Sequence, residues 1–166
     1  MELLIVRHAI AFERDRRRWP EDSERPLSPA GIRRARRAAA GLKELIAAPE
    51  RVLTSPLLRA RQTARVLSEF AGWPQALHCP ELSPGQAPAA VLRQLRQHRE
   101  KRIALVGHEP GLGLLVAACL LDEPGHLGIE LKKNAVACVS FEGAPRAGAG
   151  TLRWLAPPRF LRSARK

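Results

Sequence analysis

Short apolar runs alternate with segments of helical periodicity along most of this 166-residue chain, and that alternation leaves few folds open. The run Leu3 to Val6 has no polar residue in it, as a strand covered on both faces requires. After a long polar loop, "PLSPAG" offers Ser28 as an N-cap and Pro29 as the first helical residue. Ile32, Ala35, Ala39, Leu42 and Leu45 or Ile46 then recur at helical spacing, which predicts a helix ending near Pro49. "RVLTS" reads as a second strand, followed by a helix with Ser55 as cap, Pro56 as first residue and Gly72 as stop. A short extended piece over 76–79, a helix over 89–97, the strand in "RIALVG" and a helix over 111–121 continue the pattern. The runs at 136–141 and 151–155 predict a terminal hairpin or two more sheet strands, and the tail "RSARK" reads as frayed. The expectation is an α/β fold over residues 1–166, one domain with a mostly parallel central sheet and helices on both faces.

Several classes drop out on composition. No apolar run is long enough to span a bilayer, and Leu3 to Val6 is too short and wrongly flanked for a signal peptide. Cys79, Cys119 and Cys138 lack metal-ligand spacing and read as reduced core thiols, so the expectation is a cytoplasmic protein with no membrane partner. The net charge of +12 attracts anionic partners, with arginines grouped at Arg14 to Arg18 and Arg33 to Arg37. Aromatic residues make up only 4%, and none are interleaved with the basic runs, which argues against specific nucleic-acid binding. The arginine groups read as a solvated loop and helix face, or as a docking surface; sequence does not decide their role.

Open α/β sheets bind ligands outside the carboxyl ends of their strands. Arg7 and His8 follow the first strand, Arg59 lies within a turn of the second helix's start, and His108 follows the "RIALVG" strand. Alone, each reads as an ordinary hydrogen-bonded or surface residue. Together at three strand ends they suit a phosphoryl dianion: guanidinium forks match its oxygens, and a neutral imidazole is a competent nucleophile toward phosphorus. A metal site from His8 and His108 lacks a third ligand in register. His78 and His98 read as surface or structural.

"LIVRHA", "RPLSPAG", "LTSPLLRARQTA" and "LVGHEPGL" resemble, in order and spacing, the marker segments of the histidine phosphatase superfamily. "PELSPG", "ELKKNAVACVSFE" and "LRWLAPPRFL" resemble its SixA-type phosphohistidine phosphatases. The resemblance implies a three-layer phosphoglycerate mutase-like fold and a phosphatase without cofactor or metal. It makes His8 the nucleophile that forms a phosphohistidine intermediate, with Arg7, Arg59 and His108 binding the transferred group. Its partner would be a phosphorylated substrate, a phosphohistidine-bearing protein above all, and free phosphate or sulfate fits the same place. Small phosphorylated metabolites are the alternative substrates, and a non-catalytic module binding phosphate or polyanions is the alternative to an enzyme.

The chain departs from the family pattern twice. Ala9 stands where the family usually has glycine, and Pro84 stands in the slot where many relatives carry a proton-donating glutamate. Proline donates no proton, which favours a phosphoramidate over an ester because an alkoxide leaving group needs the proton more. Glu81 and Glu109 are the carboxyls that can substitute.

Overall fold

The computed structural model describes residues 1–122 and 127–164. Six strands form one sheet: β1 (Glu2–Arg7), β2 (Arg51–Thr54), β3 (Ala76–His78), β4 (Arg102–Gly107), β5 (Val136–Phe141) and β6 (Gly150–Ala156). Their order is β3-β2-β4-β1-β5-β6. The first four pair in parallel, while β5 and β6 run antiparallel as a hairpin added beside β1. The sheet is therefore mixed, its parallel part carrying the expected α/β pattern.

β1 explains its own unbroken apolar run. Leu4 and Val6 face one core and Leu3 and Ile5 the other, all four at most 2% exposed. Each contributes about 2 kcal/mol of burial, an upper figure because an unfolded chain already hides some of that area. The first core packs under α1 (Pro29–Leu45), α2 (Leu58–Ala71) and α5 (Pro158–Ser163). The second lies under α3 (Pro88–Leu95) and α4 (Gly111–Leu120), which makes three layers.

Ser28 caps α1 as the sequence indicates, its Oγ accepting from Gly31 N at 3.0 Å. The buried face of α1 is mostly alanine and glycine, so neighbours come close. A Cβ on Gly41 would stand 1.8 Å from the Leu161 carbonyl oxygen of α5, and only glycine fits there.

The expected start of α2 needs correction. The helix begins at Leu58, two residues beyond Pro56, and has no side-chain cap. Ser55 is not the cap because His108 engages its hydroxyl at 2.8 Å, leaving Leu57 N a long 3.4 Å contact. Gly72 does end the helix, in the left-handed conformation at φ 70°. α3 starts one residue earlier and stops two sooner than the periodicity predicts.

The C-terminal end differs too. Arg162 and Ser163, expected to fray, close the short helix α5, whose Leu161 is buried under α1; the last two residues of "RSARK" lie outside the described residues. Cys79, Cys119 and Cys138 are buried and unpaired, as read from the sequence. Among the described residues, no helix is long and apolar enough to cross a membrane.

Candidate active site

Parallel pairing of β1 with β4 aligns Arg7 with Gly107, so the residues that follow, His8 and His108, emerge side by side. Their ring centroids are 5.0 Å apart. Both rings are buried, at 7% and 5% exposure, on a shelf that β2 completes by placing Ser55 and the first turn of α2 next to them. That turn brings in Arg59, itself 4% exposed.

Each ring is fixed through one nitrogen. His8 Nδ1 lies 2.6 Å from the Ala9 carbonyl oxygen, a pure acceptor, so Nδ1 carries the proton and Nε2 keeps the lone pair. His108 Nε2 lies 2.8 Å from Ser55 Oγ. A Ser55 hydroxyl that donates to His108 Nε2 leaves the ring's Nδ1 as a donor, and the Leu57 N–H meets the same oxygen at 3.4 Å. Burial, opposed by the bond to the Ala9 carbonyl and reinforced by Arg59, Arg7 and Lys133, holds His8 down to about 4. Burial, His8 and Arg59 hold His108 down to about 3. Both imidazoles are neutral at pH 7.

The arginines are held just as firmly. Arg7 Nη1 donates to the Leu131 carbonyl at 2.6 Å, and the exposed Glu130 reaches it at 3.8 Å. Arg59 is gripped by one residue twice: Nη1 donates to the Asp22 carbonyl at 2.8 Å and Nη2 meets its carboxylate at 3.1 Å. Arg25 Nε holds the other Asp22 oxygen at 2.9 Å, while its Nη1 donates to the Phe12 carbonyl at 2.6 Å. Asp22 is accordingly kept ionised, Arg25 lowering its titration first and foremost.

Arg7 Nε, Arg59 Nε and His108 Nδ1 are buried without a hydrogen-bond partner among the described residues. Buried polar nitrogens in that condition are costly, and these belong to three residues around the His8 ring, which suits an oxyanion there. A group of three or more His, Cys, Asp or Glu able to hold a metal is absent among the described residues.

All four expected residues thus converge. Ala9 fits where glycine was expected: it is not in the left-handed region, it is fully buried, and its N–H donates to Thr63 Oγ1 at 3.0 Å. Glu81 lines a cavity of about 20 Å³ together with His108, and its carboxylate accepts from the Cys79 thiol at 3.3 Å. Glu109 does not stand ready as an acid. Its two oxygens accept from Gly113 N at 3.0 Å and Leu131 N at 2.6 Å, tying α4 to the segment that holds Arg7.

Sequence reading missed Asp22, which sits among five carboxylates between Glu13 and Glu24 with nothing local to single it out. It also gave Ser55 the wrong partner. His78 is exposed, and His98 packs against Glu100 at 3.5 Å, away from this place.

A family model of the Histidine phosphatase superfamily (branch 1) matches residues 3–83. An uncharacterised protein of Picosynechococcus sp. is 36% identical over 97% of this chain and 99% of its own length. The phosphohistidine phosphatase SixA of Escherichia coli K12 is 31% identical over 99% of both chains. Among solved structures, the protein histidine phosphatase SixA complexed with tungstate superposes with a TM-score of 0.83 at 32% identity, covering 97% of this chain and 99% of that one. A phosphoserine phosphatase from Entamoeba histolytica shares the fold at 16% identity, with a TM-score of 0.64 over 96% of this chain and 98% of the other.

Proposed function

The chain belongs to the histidine phosphatase superfamily and is a phosphatase; from that premise we propose that its substrate is a phosphohistidine-bearing protein and that His8 is the nucleophile. The observation that carries this is the way the His8 ring is fixed, its Nδ1 2.6 Å from the Ala9 carbonyl oxygen. With Nδ1 committed to the Ala9 carbonyl, the Nε2 lone pair is left for phosphorus, and Arg7, Arg59 and His108 each carry a buried nitrogen without a partner among the described residues.

The chemistry follows in two displacements. His8 Nε2 bonds to phosphorus as the substrate's N–P bond breaks, and the bonding pair leaves with the substrate imidazole, which takes up a proton. Arg7, Arg59 and His108 stabilise the charge spread over the three equatorial oxygens. Water then attacks the phosphohistidine, the bond to His8 breaks and orthophosphate leaves. An imidazole leaving group needs little help from an acid, which fits an exposed Pro84 in the usual slot. Glu81, which lines the cavity beside His108, is the proton donor for more demanding leaving groups.

The similarity to SixA over the full chain supports the protein substrate. The test compares a phosphohistidine protein with a panel of sugar phosphates and other phosphorylated metabolites. Expected are preference for the phosphoprotein, loss of turnover in His8→Ala, and a Glu81→Gln variant that loses ester hydrolysis while keeping phosphoramidate hydrolysis. Strong preference for sugar phosphates refutes the substrate assignment, and unchanged turnover in His8→Ala refutes the nucleophile.

A further inference from the structure

Four arginines of α1, Arg33, Arg34, Arg36 and Arg37, are exposed on its first three turns. Among the described residues none is paired with a carboxylate. Arg33 to Arg36, Arg33 to Arg37 and Arg34 to Arg37 are like-charge spacings of three and four residues, which weaken a helix. Ion pairing does not offset that repulsion among the described residues, and only the stacking of Arg36 on Phe70 gives anything back. The loop at Arg14 to Arg18 is different: five acidic residues between Glu13 and Glu24 share its stretch of chain, and Asp15 accepts from Arg17 N at 2.9 Å within it.

Beside the α1 arginines runs a cleft of about 200 Å³ between α1 and α2. Leu27, Ile32 and Val66 give it an apolar floor, with Arg36 and Arg65 on its rim. Glu69, its one carboxylate, is neutralised by Arg65 at 2.7 Å. Arg36 lies over the ring of Phe70, 5.2 Å from its centre, which keeps the guanidinium flat against the surface. The cleft is near the candidate active site along α2: its lining residues Gln62 and Val66 follow Arg59 by three and seven residues, the second about 10 Å away at 1.5 Å per residue.

Resting on the protein-substrate reading above, we infer that this α1–α2 face docks an acidic segment of the substrate protein, whose carboxylates meet Arg33, Arg36 and Arg37 while an aliphatic side chain enters the cleft. Charge decides the occupant. A second copy of this chain would bring the same unpaired arginines against themselves. A nucleic acid supplies the negative charge but no aliphatic group for a floor of leucine, isoleucine and valine.

The experiment uses two synthetic phosphohistidine peptides of equal length, one with three glutamates and a leucine beyond the phosphohistidine, the other with glutamine in place of glutamate. Free phosphoramidate reports the basal chemistry. Wild type is expected to favour the acidic peptide in kcat/KM by about tenfold at low salt, a preference that shrinks in high salt. The triple variant R33E/R36E/R37E is expected to lose or reverse it while hydrolysing phosphoramidate at the wild-type rate, which also shows that it folds. Equal kcat/KM for both peptides in wild type, or a preference kept in the triple variant, overturns the docking surface alone. Displacement of the acidic peptide by an oligonucleotide of equal charge at lower concentration overturns it in favour of nucleic acid. Failure to hydrolyse either peptide or phosphoramidate, with sugar phosphates turned over, overturns the protein-substrate reading and this inference with it.

Discussion

Asp22 is the residue whose removal separates two accounts of Arg59. Its carboxylate meets Arg59 Nη2 at 3.1 Å and Arg25 Nε at 2.9 Å. One account treats it as a clamp that aims the guanidinium; the other treats it as a competitor that occupies Arg59 in place of phosphate. Asp22→Ala removes the charge-assisted contact but keeps the backbone carbonyl that holds Nη1 at 2.8 Å. Such contacts contribute about 1.5–3 kcal/mol when buried. The Asp22 side chain is 31% exposed, which screens it, whereas that of Arg59 is 5% exposed, so about 2 kcal/mol is a fair figure. At 1.4 kcal/mol per decade, kcat/KM falls about 30-fold in Asp22→Ala. Asp22→Asn keeps an acceptor and falls about fivefold. Steady-state hydrolysis of phosphoramidate is the assay, with circular dichroism to confirm folding. If Asp22→Ala equals or exceeds wild type in kcat/KM, the clamp argument is wrong and Asp22 competes with the substrate.

Three further outcomes are expected. Ser55→Ala takes away the partner that fixes His108 Nε2 at 2.8 Å, so kcat/KM drops about fivefold, the worth of one neutral hydrogen bond, with the thermal midpoint shifted by only a few degrees. Acid destabilises the fold through both histidines: held to about 4 and about 3, they stay neutral while the unfolded chain takes up protons below about 6.5, so stability falls as pH drops from there toward 4. For His8 alone the loss is about 3 kcal/mol, and urea titrations should find a flatter pH dependence in His8→Asn; an unchanged slope contradicts it. Gly41→Ala drives a Cβ into the Leu161 carbonyl and pushes α5 off α1, which costs about 2 kcal/mol and lowers the midpoint by about 4–8 °C with phosphoramidate turnover retained.

What the sequence made legible follows from what is local. The unbroken Leu3 to Val6 run required a strand buried on both faces, and Ser28-Pro29 set the start of α1 to the residue. Parallel strands present their ends at one edge, so Arg7, His8, Arg59 and His108 could be gathered from chain order alone. Ser55-Pro56 repeats the signal of Ser28-Pro29 but has a different outcome, because a distant histidine takes the hydroxyl that a cap would have used. Asp22 was hidden for the same reason: its partner Arg59 is 37 residues away, and no periodicity connects them. α5 is too short for helical spacing to register, and it is held by packing of Leu161 on Gly41 rather than by propensity.

The most direct measurement traps the enzyme with a 32P-labelled phosphodonor, quenches in base where N-linked phosphate survives, and maps the labelled residue by peptide sequencing. The account predicts a single alkali-stable, acid-labile phosphate on Nε2 of His8, absent from His8→Ala and present in His108→Ala at a reduced rate of formation. Label on any other residue, or full turnover with no phosphoenzyme formed, contradicts it.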